Sequence, residues 1–223
     1  MFILPSKELT NAINKRLEKE KDEKQNNMIT ASLPTLVEIE QTNVAQKITS
    51  FVELTKDAFD GVEIALFSAG ASISIKWAPI AEASGAIVID NSKAFRMNDE
   101  CSLIVPEINI EDYKGKRKII ANPNCSTIQS VIPLNALKKY GLKRVIYTTY
   151  QAVSGSGSKG INDYHNTQNG GKEKFYPYNI SKTCIPHIDE FLDNGYTKEE
   201  MKMIDETRKI LHLPNLSVSA TCV

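Results

Sequence analysis

The segment Asn122-Pro123-Asn124-Cys125-Ser126-Thr127 puts a thiol where a strand, read over Lys118–Ala121, hands over to a helix, read over about Ser126–Tyr140. At such a corner the unpaired N–H groups and the positive end of the helix dipole face the sulfur and favour the thiolate. Only the thiolate is a strong nucleophile, so the placement points to covalent catalysis. The competing reading is a buried, inert cysteine beside the helix cap, because free cysteine often packs as a small hydrophobe.

A second candidate is Gly155-Ser156-Gly157-Ser158-Lys159-Gly160, which fits the spacing of a dinucleotide-binding turn and follows a strand. The rest of that context fails: Asn162–Lys182 is polar, contains Asn169-Gly170-Gly171, and leads to no second parallel strand. The segment therefore reads as a flexible loop able to present backbone N–H groups to an anion. Metal chemistry finds no support. Cys101, Cys125, Cys184 and Cys222 are widely spaced with no C-x-x-C, and the three histidines lack paired spacing.

The elements that must carry these residues follow from periodicity. Val62–Phe67 is a near-continuous apolar run suited to a buried parallel strand, Ser68-Ala69-Gly70 makes a tight exit, and Ser72–Ser84 reads as a helix closed by Gly85. Ala86–Asp90 is the next strand, so the three form a βαβ unit with ligand-facing positions at Ser68–Gly70 and Asn91–Arg96. Further strands are expected at Leu103–Pro106 and, longer, at Arg144–Val153. Thr197–Leu211 reads as an amphipathic helix with acidic residues in its first turn. Ser6–Asn27 is dominated by charge, with Leu9, Ile13 and Leu17 as a narrow apolar stripe, and reads as a surface helix or a partly disordered arm. Short β-prone pieces lie around Leu36–Ile39.

Lys+Arg and Asp+Glu both total 27 in 223 residues, so no net field points to nucleic acid or to a membrane surface. The apolar runs are strand-length, far short of a bilayer span, and the N-terminus lacks a signal-peptide core. A soluble cytoplasmic protein with reduced thiols is expected.

Taken in order, Phe67-Ser-Ala-Gly70, Ile89-Asp-Asn-Ser-Lys-Ala-Phe-Arg-Met97, Asn122–Thr127, Thr149-Tyr-Gln-Ala-Val-Ser-Gly155, Ile185-Pro-His-Ile188 and Lys198-Glu-Glu-Met-Lys202 with Glu206-Thr-Arg-Lys209 closely resemble the aspartate-semialdehyde dehydrogenase family over about Ile48–Val223. The resemblance implies an α/β fold: an incomplete Rossmann-like parallel sheet plus the start of an α+β catalytic and dimerisation domain. The implied domains are a charged N-terminal segment over 1–47, a partial NADP-binding domain over 48–124 and a partial catalytic domain over 125–223. The implied reaction is reductive dephosphorylation of β-aspartyl phosphate to the semialdehyde with NADPH, in lysine, threonine and methionine biosynthesis. Its substrate partners are these small molecules and phosphate, and a homodimer or homotetramer is implied for the complete enzyme.

Residue by residue, the resemblance makes Cys125 the nucleophile and Gln151 the partner of the substrate or the reacting carbonyl. Arg96 and Lys202 would bind phosphate or carboxylate, Glu199 the substrate amine, and Asn124 the charge developing on the carbonyl oxygen. Ser68, Ala69, Gly70, Asn91, Ser154 and Gly155 would line the nicotinamide side of NADP. The sister family of N-acetyl-glutamyl-phosphate reductases usually has Gly-Cys-Tyr where this chain has Asn124-Cys125-Ser126.

Two departures from the pattern stand out. Met1–Lys47 contains no glycine, where the family has a Gly-rich pyrophosphate turn. The chain also stops at Val223, short of the arginine and histidine that follow in the family, so the sequence is expected to be incomplete at both ends, with little turnover alone. Two other classes stay open: a non-catalytic module that assembles with a full-length subunit, and a thiol hydrolase pairing Cys125 with His165 or His187.

Overall fold

The computed structural model describes residues 27–31 and 54–223. The chain divides into two compact units, with the boundary between Pro123 and Asn124.

In the first unit, β2 (Val62–Phe67) lies between β1 (Asn27–Ala31) and β3 (Ile87–Asp90), followed by β5 (Ile119–Ala121) and the short β4 (Ser102–Leu103). Every pairing is parallel, in the order β1-β2-β3-β5-β4. The strand spans of β2 and β3 follow the apolar runs, and Ala65, Phe67 and Val88 are buried as a covered parallel sheet requires. Helix α1 (Ala71–Ala83) joins β2 to β3 and buries the small side chains Ser74, Ala78 and Ala81. It ends as the sequence anticipates. Gly85 has φ 102°, its N–H reaches the Glu82 carbonyl at 3.0 Å, and the Ala86 N–H reaches that of Ala81 at 3.1 Å. That paired closure needs a left-handed residue, which glycine supplies without a Cβ clash.

Two expectations change in this unit. The charged N-terminal segment contains the strand Asn27–Ala31, which the sequence reading did not identify, and the β-prone piece around Leu36–Ile39 lies outside the described residues. The strand expected over Leu103–Pro106 is only Ser102–Leu103, because Pro106 opens a helical turn (Pro106–Asn109), where its fixed φ and missing N–H are tolerated.

The second unit pairs β6 (Arg144–Thr149) with β7 (Ser217–Cys222) in parallel. The long amphipathic helix α4 (Lys198–Ile210) and helix α2 (Cys125–Leu137) precede β7 in the chain, with α3 (Gly157–Gln168) between them. Met203 and Ile204 of α4 pack with Val145, Tyr147, Leu216, Ala220 and Cys222. The Tyr147 hydroxyl and the Thr207 hydroxyl lie 2.8 Å apart within this core. Burial pushes the Tyr147 phenol up from its ordinary range, against the opposing effect of that hydrogen bond.

The strand β6 stops at Thr149 instead of running to Val153, so Gln151 lies beyond it. The chain then makes a 3-10 turn at Val153–Ser156 and enters α3, which replaces the expected flexible loop at Gly155–Gly160. Packing accounts for one of those glycines. A Cβ at Gly160 would come within 2.6 Å of the Val153 carbonyl oxygen and 2.7 Å of the Tyr176 hydroxyl. The glycine is what lets α3 sit directly on its own entry turn.

Asp163 of α3 ties down the segment after the helix by accepting backbone N–H groups from Lys174 (2.8 Å), Phe175 (3.2 Å) and Tyr176 (3.0 Å). The Tyr176 N–H chiefly, with Lys174 and Phe175 and against the cost of burial, holds its carboxyl below the usual aspartate range. A depressed carboxyl contributes stability above the unfolded value of about 3.9 and loses it as pH falls through the folded value. Asp163→Asn is therefore expected to lower the urea midpoint near neutrality, with the gap to wild type closing as the pH falls below 4. Urea titrations from pH 7 to 3 check this.

Candidate active site

Asn124 is the N-cap of α2, and its side-chain oxygen accepts the N–H groups of Ser126 (3.0 Å) and Thr127 (3.2 Å). Asparagine is among the best residues for this task because its short amide reaches back to two otherwise orphaned donors. The next residue, Cys125, thereby occupies the first position of the helix, with an exposed free thiol. The side-chain and backbone donors of Asn124 are held by α4. Its side-chain amide donates to Glu199 Oε1 at 2.9 Å, and its backbone N–H donates to Glu206 Oε2 at 2.6 Å.

Both carboxylates are buried, Glu199 at 6% and Glu206 at 1% exposure, and buried charge must be compensated. Lys202, one turn along from Glu199, donates to Glu199 Oε2 at 2.9 Å and to Asp189 Oδ2 at 3.0 Å. Burial pulls the Lys202 ammonium down, but the charges and hydrogen bonds of Glu199 and Asp189 outweigh it and hold it above the ordinary lysine range. The helix begins with a capping box: Thr197 Oγ1 accepts the Glu200 N–H while Glu200 accepts the Thr197 N–H. The other oxygen of Glu200 accepts the N–H of Cys222 at 3.1 Å, which ties the start of α4 to the end of β7.

A group whose folded pKa is raised contributes stability below its unfolded value and loses it as pH rises through the folded value. Lys202→Met removes the ammonium from between two carboxylates. It is expected to destabilise the second unit by about 1–3 kcal/mol, below the full cost of breaking a buried pair because the lysine is partly solvated. Thermal melts from pH 7 upward should show the deficit shrinking as the wild-type lysine deprotonates.

Gln151 belongs to the end of the β6–β7 ladder. Its N–H donates to the Val223 carbonyl at 2.7 Å and its side chain donates to Thr149 Oγ1 at 3.3 Å. Ser154 and Gly155 lie in the 3-10 turn that follows. Cys222 beside it is fully buried, and burial pushes its thiol up, partly offset by hydrogen bonds from Thr149 and Gln151.

The other group of expected residues stands at the carboxyl ends of three adjacent strands in the first unit. The Asn122 side chain donates to Asn91 Oδ1 at 2.8 Å, and the Asn91 amide donates to Ser68 Oγ at 3.4 Å. Arg96, only 8% exposed, donates through Nε to the Asn122 carbonyl (2.9 Å) and through Nη2 to the Asn91 carbonyl (3.1 Å). Beneath them the fully buried Asp90 accepts Ser74 Oγ at 2.6 Å and both the N–H and the hydroxyl of Ser92 at 3.1 and 2.8 Å. Ala69 and Gly70 lead into α1. Gly70 has φ 98° and provides no side-chain cap, so a side chain there would be strained although a Cβ would meet open space.

Three residues escaped the sequence reading as site components: Glu206, Glu200 and Asp189. Glu206 stands seven residues from Glu199 on the face that also carries Met203 and Ile210, so a carboxylate interrupting an apolar stripe was its signal. Glu200 had the capping-box spacing Thr197-x-x-Glu200. Asp189 left no local signal; it has φ 67°, in the left-handed region.

The sequence matches two family models, described as the NAD binding domain of semialdehyde dehydrogenase over residues 13–116 and the dimerisation domain of semialdehyde dehydrogenase over residues 132–223. The chain belongs to the semialdehyde dehydrogenase family. The family match begins at residue 13, well before the resemblance read from about Ile48, and takes in β1. The aspartate-semialdehyde dehydrogenase of Aquifex aeolicus is 52% identical over 178 residues, covering 75% of this chain and 52% of the relative. Aspartate semialdehyde dehydrogenase II from Vibrio cholerae, solved complexed with ASA, superposes with a TM-score of 0.68 at 46% identity, covering 74% of this chain and 52% of that one. The aspartate semialdehyde dehydrogenase of Candida albicans, solved with NADP, superposes with a TM-score of 0.53 at 25% identity over 72% of this chain and 46% of that one. The chain spans about half the length of the curated relatives it matches. Among the described residues no helix is long and apolar enough to cross a membrane, and no cluster of metal-ligating side chains is present.

Proposed function

We propose that this chain carries the nucleophile half of an aspartate-semialdehyde dehydrogenase, acting on β-aspartyl phosphate in the cytoplasm. The observation that carries the reading is Cys125 at the first position of a helix whose cap residue is held by two buried carboxylates of α4. In the synthetic direction Cys125 Sγ attacks the acyl carbon, the carbon–oxygen bond to phosphate breaks, and inorganic phosphate leaves a thioester on the sulfur. In the second unit Glu199 would receive the substrate amine, and Lys202 would take the phosphate or carboxylate as a point charge. In the first unit, two backbone carbonyls fix the guanidinium plane of Arg96, which suits it to take an oxyanion as a planar fork. Gln151 would hydrogen-bond the substrate or its reacting carbonyl.

The first unit fits a nicotinamide dinucleotide. Its polar groups gather at the carboxyl ends of parallel strands, and Gly70 leaves open space before α1. Ser68, Ala69, Gly70 and Asn91 are the residues of this unit that would hold NADP. When bound, the cofactor supplies the hydride that reduces the thioester to the aldehyde.

The test incubates a full-length version of the enzyme carrying this chain with aspartate semialdehyde, NADP and phosphate, following NADPH by absorbance and the Cys125 peptide by mass spectrometry. NADPH formation that needs phosphate or arsenate, together with an aspartyl adduct on Cys125, is expected. NADPH formed equally well without either anion, or an adduct on another cysteine, overturns the reading. The dimerisation-domain match over residues 132–223 favours one further role, assembly through the second unit as a homodimer or homotetramer or with a longer subunit of the same family. Co-purification with such a subunit checks it.

A further inference from the structure

The motif Glu206-Thr207-Arg208-Lys209 matches the family pattern, yet none of the roles above uses its first residue. Glu206 is almost completely buried, and its Oε2 accepts the backbone N–H of Asn124 at 2.6 Å, across 82 positions of sequence. A carboxylate sequestered to this degree is costly unless strongly bonded, and a short charge-assisted bond to a backbone donor is such a bond.

Asn124 makes two kinds of contact with α4, and they are not equivalent. Its side-chain amide rests on Glu199, the same carboxylate assigned above to the substrate amine, so substrate would compete for that contact. The Glu206 contact is to the main chain, on a carboxylate given no part in binding substrate. It holds the residue immediately before the thiol whether or not substrate is present.

We propose that Glu206 is a positioning residue for Cys125: by gripping the Asn124 N–H it fixes the cap of α2 and so holds the thiol at the first turn of an ordered helix. This rests on the reading of Cys125 as nucleophile. The first turn is where exposed N–H groups and the helix dipole favour an anion, and a cap that loosens disperses that field.

The experiment needs no turnover. The full 223-residue chain is treated with iodoacetamide at one fixed pH, and labelling of Cys125 and of Cys184, the other exposed free cysteine, is quantified by peptide mass spectrometry. Wild type is expected to label Cys125 faster than Cys184. In Glu206→Ala the Cys125 to Cys184 ratio should fall about five-fold, the rate equivalent of one net hydrogen bond. In Glu206→Gln, whose amide oxygen still accepts the Asn124 N–H, it should stay within about two-fold of wild type. If the alanine variant does not fold, Glu206→Asp, which keeps the charge on an arm too short to reach, should show the same fall. An unchanged ratio in a folded alanine or aspartate variant, even with a lowered melting temperature, overturns the inference, as does an equal fall in the glutamine variant. A wild-type chain in which Cys125 is no faster than Cys184 would instead remove the nucleophile reading on which it stands.

Discussion

In a full-length version of the enzyme, Cys125→Ser is expected to cut phosphate-dependent NADPH formation at least about 10³-fold and to leave no acyl adduct on residue 125. The alcohol and the thiol differ little in size, so the fold should persist; what changes is the group that attacks. A serine hydroxyl needs a base to become nucleophilic, and the side chains gathered around the cap of α2 are committed elsewhere. Glu199 is engaged by Asn124 and Lys202, and Glu206 by the Asn124 N–H. Stopped-flow absorbance for the reductive step and intact-mass measurement of the acyl-enzyme separate chemistry from folding, and circular dichroism confirms that the variant is native. Turnover retained within ten-fold in a folded serine variant would mean that the carbonyl is attacked by some other group.

The second large effect is on stability. Asn124→Ala deletes the cap of α2 and withdraws a donor from Glu199 in a single step. Loss of an asparagine cap costs about 1 kcal/mol, and a hydrogen bond to a charged, buried acceptor adds about 1.5–3 kcal/mol, so a total of about 2.5–4 kcal/mol is expected. Urea denaturation followed by far-ultraviolet circular dichroism measures it. Asn124→Asp separates the two contributions: it restores an excellent cap but sets a second carboxylate against Glu199. It should therefore be at least as unstable as the alanine variant near neutral pH and recover as the pH falls towards the carboxylate range. An aspartate variant as stable as wild type at pH 7 would show that the Glu199 contact contributes little.

Much of this arrangement was legible in the residues. Val62–Phe67 was identified as a strand to the residue, because six consecutive positions suited to a covered parallel sheet leave little alternative. The helix from Lys198 to Ile210 announced itself by its apolar period and acidic first turn, and α1 by the glycine that closes it. The failures have specific causes. Asn27–Ala31 is a five-residue strand embedded in charged and polar neighbours, and the pairing with β2 that makes it a strand is not encoded locally. Gly155–Gly160 suggested a flexible loop because the chain after it is polar and leads to no second parallel strand, whereas Gly160 lies inside α3, where a Cβ would run into Val153 and Tyr176.

The site divides in the same way. Asn124 and Cys125 could be placed by their position at a strand-to-helix corner, because capping is a local property. Glu206 could not, because its partner lies 82 residues away: a carboxylate interrupting an apolar stripe marks the position, but nothing local says which group it binds. Asp189 shows the same limit: its value as a partner for Lys202 exists only once the chain has turned at its left-handed backbone.

The pairing of β6 with β7 has a kinetic consequence. Arg144 stands opposite Ser217 and Thr149 opposite Cys222, with both helices α3 and α4 lying in the intervening chain. Closing so long a loop sacrifices entropy before any ladder bond forms, and contacts remote in sequence slow the approach to the native state. The β2–β3 pairing, by contrast, spans one helix-length crossover and can form as soon as that crossover is made. During synthesis, therefore, the first sheet can begin to assemble on the ribosome, while the core around Met203 and Tyr147 must wait until translation has passed Cys222.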